Sequence, residues 1–214
     1  MPKVSETHRI NRRRQILDAA IECFARKGFQ RTSMEDIIRE SNLSAGAIYS
    51  YFQSKDQIIE KLADERHERE KQLIEKALTA GEWSECLSTL VKDFYESLRD
   101  PSERKERRLG IHLWAEALSN PRVLRLIRRG INQPLELLSD AIRGAQTEGR
   151  LRRDIDPDSA ARVLVALFHG FLLQQAWDDR ADIKSFARAA QSMAESYFSH
   201  SAARRATVRQ LHPR

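Results

Sequence analysis

The chain has 214 residues, of which 41% are hydrophobic and 32% are charged. That composition allows a packed core and excludes a disordered chain. The net charge is +6, and the basic excess lies at the two ends of the sequence, in residues 1–55 and 200–214. A basic end domain fits a polyanionic partner such as nucleic acid, and solvated helix faces explain the charge equally well.

The sequence carries no sign of export or of membrane insertion. Cys23 and Cys86 form neither a CxxC motif nor a disulfide framework, which indicates free thiols in a reducing compartment. The N-terminus lacks the apolar core of a signal peptide, and no run approaches the ~18 consecutive apolar residues of a membrane span. We therefore expect a cytoplasmic protein that makes no membrane contact.

Glycine and proline are scarce, with eight and six residues, which favours an all-α fold. Apolar residues repeat with the helical period and predict about nine helices. The first predicted helix spans residues 9–27 and ends at Gly28, which suits a left-handed C-terminal cap. Two short helices follow at residues 33–40 and 45–52, and Asn42 between them tolerates the backbone conformation that a tight turn needs.

Six longer helices are predicted after these. The fourth begins near Lys55, and its middle is so highly charged that we expect it to bridge two units across solvent. Helix eight, at residues 158–177, is apolar around most of its girth and must be covered on more than one side. Helix nine, at residues 183–198, adds a second apolar stripe. Residues 200–214 are predicted to form a disordered basic tail.

The segment from Gly28 to Lys55 predicts two short capped helices joined by a three-residue turn, with a longer helix on either side. This is the arrangement of a helix-turn-helix, at about residues 32–52, whose second helix can lie in the major groove of DNA. Hydroxyl groups lie at the N-termini of the two short helices, where they can cap the helix or donate to a phosphate. These hydroxyl groups belong to Thr32, Ser33 and Ser44.

The exposed face of the third predicted helix is unusual in its residue types. Ile48 and Phe52 occupy the inward stripe, so Tyr49 and Tyr51 are not both expected in the core. The face has no Arg, Gln or Asn to make bidentate contacts with bases, and Arg39 on the preceding helix is the nearest alternative. We therefore expect sequence recognition to rest on thymine contacts, bridging water and DNA shape. The small residues of this face are Ala45, Gly46 and Ser50.

This segment resembles the DNA-binding domain of the TetR family of bacterial one-component repressors, and residue types and spacings agree over about 28 positions. Where the family commonly has Ala after an aliphatic pair and Ala-Gly-Val in the turn, this chain has Arg39-Glu40 and Ser41-Asn42-Leu43. We expect the turn to survive these departures. The positions that carry the resemblance are Gly28, Thr32, Ser33, Ser44, Gly46, Ile48, Tyr49, Tyr51, Phe52 and Lys55.

The resemblance implies a DNA-binding domain at residues 9–55 and a ligand-binding and dimerisation domain at residues 56–199. It implies a homodimer that binds a palindromic operator in double-stranded DNA and that responds to an unidentified small molecule. Lys55 matches a phosphate contact of the family. The implied DNA-contacting residues are Thr32, Ser33, Ser44, Ala45, Gly46, Tyr49, Ser50, Tyr51 and Lys55.

An inducer pocket and a dimer interface are implied for the second domain. The residues predicted for the pocket, for which core positions remain the alternative, are Trp83, Phe94, His112, Trp114 and His169. The interface is expected on helices eight and nine. Its predicted residues are Phe168, Phe171, Leu172, Phe186, Met193 and Tyr197.

Two other functions remain open from the residues alone: a DNA-organising protein without an effector, and a helical enzyme. An enzyme would need a convergent set of titratable groups, which the sequence does not assemble. His67-Glu68 is followed by Lys71 and is therefore not an HExxH zinc pair, and no phosphate-binding loop or nucleophile elbow is present. We expect no cofactor and no metal site.

Overall fold

The structure, a computed structural model, describes residues 6–79, 81–178 and 180–198. Over these residues it is all-α, with nine helices and no strand, which confirms the predicted fold class. None of the helices in these ranges is long and apolar enough to cross a membrane. The tail predicted at residues 200–214 lies outside the described part of the chain. The helices are α1 (Glu6–Lys27), α2 (Met34–Ser41), α3 (Ala45–Tyr49), α4 (Lys55–Leu78), α5 (Trp83–Ser97), α6 (Pro101–Ala117), α7 (Pro121–Thr147), α8 (Pro157–Trp177) and α9 (Ile183–Phe198).

Packing divides the chain into two compact units. The first comprises the described residues up to Glu68 together with Pro101–Gly130, and the second comprises Arg69–Asp100 together with the described residues from Ile131 onward. The first unit thus contains α1, α2, α3 and α6, and the second contains α5, α8 and α9. Both α4 and α7 pass from one unit into the other. The boundary after residue 55 stays a prediction about function, whereas the packing groups α6 with α1–α3.

The three helices α1–α3, which we call the head, share one apolar core. Ile16 and Phe24 of α1 are fully buried, and they lie in one cluster with Ile37 of α2 and Ile48 of α3. The end of α1 depends on Gly28, because its φ of +76° is costly for residues that carry a Cβ. The N–H of Gly28 donates to the last turn of α1 at 2.8 Å.

Helix α6 supports the head from a distant part of the sequence. Its residue Leu109 belongs to the core of the head. Arg14 of α1 pairs with Glu106 of α6 at 3.1 Å, and Lys105 pairs with Glu22. The charged residues of α1 and α6 therefore complement each other around a shared apolar contact.

The interior of the second unit is rich in aromatic rings. The ring centroids of Tyr95 on α5 and Phe171 on α8 are 5.0 Å apart, and Phe171 lies 4.4 Å from Phe186 on α9. Helix α8 begins with Pro157 after Asp156, whose carboxylate accepts from a backbone N–H of the first turn at 2.9 Å. Caps of this kind fix where the long apolar helix starts.

Candidate nucleic-acid interface and ligand cavity

Helix α2 begins with a reciprocal cap. The Asp36 N–H donates to Ser33 Oγ at 3.2 Å, and the Ser33 N–H donates to Asp36 Oδ2 at 3.0 Å. The Lys27 ammonium lies 2.6 Å from the same carboxylate. Its hydrogen bond, together with those from Ser33, holds the pKa of the Asp36 carboxyl far below its usual range. This helix start therefore stays capped at neutral pH.

Thr32 serves the head internally. Only 2% of its surface is exposed, and its hydroxyl donates to the carbonyl oxygen of Gly28 at 2.8 Å. The side chain that was predicted to meet a phosphate is thus used to close the loop between α1 and α2. The exposed hydroxyl groups at the helix starts belong to Ser33 and Ser44, and Ser44 Oγ accepts from the Ala47 N–H at 3.2 Å.

The turn between α2 and α3 has the predicted conformation. Asn42 has φ 55° and ψ 30°, the left-handed conformation expected for it, and Leu43 packs against the core of the head. The Gln15 amide of α1 donates to the carbonyl oxygen of Ser41 at 2.7 Å. That bond satisfies a carbonyl at the end of α2 and ties the turn to α1.

Helix α3 presents a small exposed surface. Ile48 and Phe52 are buried as predicted, while 41% of Tyr49 is exposed. Tyr51 is half-buried against the core of the head, so Tyr49 is the tyrosine that faces solvent. A Cβ added at Gly46 would meet no atom within 4 Å. The exposed residues of α3 and its C-terminal cap are Ala45, Gly46, Tyr49 and Ser50.

Lys55 is engaged within the first unit. Its ammonium donates to the carbonyl oxygens of Phe29 and Thr32 at 2.9 and 3.0 Å, and to that of Gln30 at 3.4 Å. It also lies 4.4 Å from the centroid of the Phe29 ring. An ammonium has three hydrogens, so a phosphate contact would require it to give up one of these carbonyls.

The two roles of Lys55 give different results for Lys55→Ala. If the ammonium chiefly holds the loop, the variant melts at a lower temperature and binds DNA more weakly, while the slope of log K against log salt is unchanged. A phosphate contact would instead lower that slope by about one unit per half-site. We expect the first result in a salt titration. Lys61→Ala, which removes the same charge from the same helix, is the control.

The second unit contains an apolar cavity of about 100 Å³ between α4, α5, α7, α8 and α9. Of the five residues predicted for a pocket, Phe94 and His169 line this cavity. Trp83 is buried instead against an aromatic ring of α9. His112 and Trp114 lie on α6 in the first unit, and His112 is exposed. The wall of this cavity therefore includes neither Trp83 nor the two α6 residues.

Polar side chains are few in the cavity wall. Glu70 on α4, Tyr95 on α5 and His169 on α8 are the wall residues that carry side-chain oxygen or nitrogen atoms. Burial raises the pKa of the Tyr95 phenol, which therefore stays protonated. Glu70 was not predicted for the cavity, because it lies in a highly charged run of the sequence. Its position one turn before Ile74 is the signal that could have placed it on the inward face.

Comparisons with known proteins identify the family. A family model described as "Bacterial regulatory proteins, tetR family" matches residues 16–62, which include the head. A second model, described as "BetI-type transcriptional repressor, C-terminal", matches residues 85–199, more than half of the chain. The chain belongs to the TetR family. It is a helix-turn-helix transcriptional regulator.

Relatives agree with this membership along most of the chain. The HTH-type transcriptional regulator UidR of Escherichia coli strain K12 is 26% identical over 182 residues, 85% of this chain and 90% of UidR. The structure of Salmonella enterica GusR is similar, with a TM-score of 0.74 and 28% identity, and the match covers 92% of this chain and 98% of GusR. A structure of SmeT in complex with triclosan has a TM-score of 0.77 at 24% identity, covering 90% and 93% of the two chains, and shares the fold.

In this TetR-family regulator the predicted dimer residues separate into two groups. Met193 and Tyr197 of α9 are exposed to 61% and 48%. The other four pack against residues of their own unit. Phe171 and Leu172 are buried, Phe186 packs on Phe171, and Phe168 lines the cavity. Within its own unit α8 therefore buries only part of its apolar girth, and its buried residues are Ala160, Ala161, Phe171 and Leu172.

Two exposed apolar residues of α8 were not predicted. Val163 is 56% exposed and Trp177 is 76% exposed. They are separated by about four helical turns and so lie near the same side of α8. Together with Met193 and Tyr197, which are one turn apart on α9, they form a set of exposed apolar side chains that we call the α8–α9 face.

Proposed function

We propose that this regulator is a repressor that binds a palindromic operator as a homodimer, in the cytoplasm, and that a small molecule in the cavity weakens that binding. The observation that carries the DNA-binding part is the exposed face of α3. Its side chains are small apart from Tyr49, so the helix backbone can approach the edges of bases closely. The caps on α2 and α3 hold this face in a fixed conformation.

Phosphate contacts would supply most of the affinity. Arg13 and Arg39 are exposed, and Arg12 is half-buried on α1. The exposed hydroxyl groups of Ser33 and Ser44, at the starts of α2 and α3, can donate to phosphate oxygens. Ala45, Gly46, Tyr49, Ser50 and Tyr51 are proposed to contact bases or sugars.

The exposed side chains of the α8–α9 face support the proposal of a homodimer. A monomer that leaves Trp177, Val163, Met193 and Tyr197 in water exposes large apolar side chains from two helices of one unit. Pairing with the same face of a second copy would bury them, and a two-fold interface uses one patch on both subunits. Such a dimer would carry two heads to two half-sites about one helical turn apart, ~34–36 Å, or a multiple of that distance.

The cavity supports the proposal that a small molecule changes DNA binding. Its wall is mostly apolar with a few polar groups, which is the usual character of small-molecule sites. The structural relative SmeT is described in complex with triclosan, an example of a similar fold that binds a small organic molecule. Ligand binding changes DNA affinity only if the ligand has different affinities for the two conformations of the protein.

A contact within the first unit offers a route for that coupling. Arg66 and His67 follow each other on α4 and lie against Gly110 of α6 and Gly130 of α7, where any Cβ would overlap them. About one turn further along, Glu70 of α4 and Pro134 of α7 line the cavity. A ligand that displaces the cavity segments of α4 and α7 would therefore pull on the His67–Gly130 contact, which belongs to the unit that contains the head.

The coupling route predicts an effect for Gly130→Ala. The new methyl group overlaps the His67 imidazole, so either the imidazole rotates away or α4 and α7 shift, and the His67–Gly130 contact is altered in both cases. We expect DNA affinity to change by about fivefold or more, as measured by fluorescence anisotropy. Gly144→Ala, which adds a methyl group to open space on the same helix, is the control and should have no effect on DNA affinity. The double variant His67→Ala with Gly130→Ala should recover most of the affinity, and failure to recover would exclude this contact.

Selection of sequences from random duplex DNA tests the proposed function as a whole. The chain should enrich a palindrome, and one or more small apolar compounds that bind the protein should release the selected DNA. Enrichment of a palindrome without release by any compound that occupies the cavity would favour a DNA-organising protein. No enrichment at all would contradict operator binding.

A further inference from the structure

The hydroxyl group of Tyr95 forms no hydrogen bond with any residue that the structure describes. Tyr95 is nevertheless buried, with 5% of its surface exposed. Its contacts with described residues are between rings, with centroids 4.9 Å from Phe94, 5.0 Å from Phe171 and 5.5 Å from Phe186. An unpaired hydroxyl in such surroundings costs free energy, which a partner inside the protein would recover.

The space that this hydroxyl group borders is the cavity of the second unit. Tyr95 belongs to the cavity wall, and its hydroxyl oxygen is not fully enclosed by protein atoms. Glu70 and His169, the other wall residues with side-chain oxygen or nitrogen atoms, already interact with other groups of the protein. Burial raises the pKa of the Tyr95 phenol, so the group keeps its proton and remains a hydrogen-bond donor.

The rest of the wall suits an uncharged body of about one ring. The volume of the cavity is about 100 Å³, and an apolar cavity of ~150 Å³ holds benzene. The wall contains no lysine or arginine, and most of its residues are apolar. Moving an ion from water into such surroundings costs far more than moving a neutral group. An acceptor atom on a neutral body could take the hydrogen bond of the phenol.

We propose that the Tyr95 hydroxyl selects the ligand of this cavity, which is an uncharged, mostly apolar compound of about one ring with a single hydrogen-bond acceptor. This inference rests on the proposed function, because it assigns a specificity-determining residue and a ligand class to the same cavity. Loss of the hydroxyl should weaken the binding of compounds that carry an acceptor. It should not weaken the binding of compounds that have the same shape and no acceptor.

Four probes of similar size separate the acceptor and the charge from the shape. They are benzonitrile, which carries an acceptor nitrogen, phenylacetylene, in which a C–H group replaces that nitrogen, and the ions benzoate and benzylammonium. Binding is measured by calorimetry on the full-length chain without DNA. The wild type should bind benzonitrile more tightly than either ion. Tighter binding of one of the ions, or no binding of benzonitrile, would overturn the proposal.

Tyr95→Phe removes the hydroxyl group and keeps the ring. It should weaken binding of benzonitrile by about threefold to tenfold, the effect of losing one neutral hydrogen bond, and leave phenylacetylene within about twofold of the wild type. The melting temperature of the free protein should not fall, because no described residue loses a partner. Equal loss of both probes, or no loss of benzonitrile, would overturn the assignment.

The matched control for this variant is Ser139→Ala. Ser139 carries a buried hydroxyl group on α7 in the same unit, and it is not part of the cavity wall. Its loss should change the binding of neither benzonitrile nor phenylacetylene. A Ser139→Ala variant that weakens benzonitrile as much as Tyr95→Phe does would show that the effect is not specific to the Tyr95 hydroxyl, and would overturn the assignment.

The DNA measurement distinguishes this inference from the proposed function. If benzonitrile binds through Tyr95 as expected and does not release DNA, the ligand class is supported and ligand-responsive repression fails. If DNA is released by benzoate or by benzylammonium and not by the uncharged probes, repression stands and the ligand class is wrong.

Discussion

Gly46→Glu is expected to abolish specific DNA binding while leaving the fold and the oligomeric state intact. Gly46 lies on the exposed face of α3, and a side chain added there meets no protein atom within 4 Å. In the DNA complex the new carboxylate would face the groove between two phosphate backbones. Juxtaposed like charges cost several kcal/mol, so Kd should rise by about 100-fold or more.

Two controls separate charge at the interface from other effects. Gly46→Ala should stabilise α3, because alanine is favoured over glycine within helices by up to about 1 kcal/mol, and it should keep most of the DNA affinity. Gly144→Glu makes the same change of charge at another open helical glycine, in the second unit. Fluorescence anisotropy with a selected operator measures the DNA affinity of all three variants. If Gly46→Glu binds DNA as tightly as Gly144→Glu does, α3 does not contact the DNA.

The double variant Met193→Glu with Tyr197→Glu is expected to be a folded monomer that binds DNA poorly. Both side chains are exposed in the single chain, so the substitutions cost little within it. In a dimer they would place carboxylates in a desolvated interface, at a cost of several kcal/mol. Light scattering after size exclusion should give the mass of one chain. Because one head alone holds half an operator, Kd should rise by about 100-fold or more, in line with the loss of avidity between linked sites.

The matched variants for the dimer test come from residues in other environments. Leu118→Glu, at an apolar residue of α6 that is 90% exposed, should remain dimeric. Phe171→Glu should lower the melting temperature strongly, because Phe171 is buried among the rings of Tyr95 and Phe186 and an unpaired charge there is costly. If the double Met193/Tyr197 variant stays dimeric, the dimer interface does not lie on the α8–α9 face.

The head was predictable from the sequence because its signals are local. Gly28 at the end of α1, the left-handed Asn42 and the inward pair Ile48 and Phe52 each follow from a rule that acts within a few residues. The bounds of α9, Ile183–Phe198, were predictable from its apolar period. The bounds of α1 and α3 were predicted less well, because α1 begins at Glu6 and not at residue 9, and α3 ends at Tyr49 and not at residue 52. The spacing of the motif residues was therefore sufficient to indicate the family.

Other features depend on contacts between distant segments and could not be predicted. The carbonyl groups that hold Lys55 lie more than twenty residues before it, and α6 packs on α1 across a large part of the sequence. An apolar stripe also does not say what covers it. Phe171 and Met193 looked equivalent in the sequence, yet the first is buried within its own unit and the second is exposed.

A hydroxyl-radical footprint on a selected operator tests whether two chains bind one palindrome through α3. We expect two protected stretches on one face of the duplex, with their centres one helical turn or a multiple of it apart, formed by two chains and lost in Gly46→Glu. Protection of a single asymmetric half-site by one chain, or a footprint that Gly46→Glu leaves unchanged, would contradict dimeric operator binding through α3.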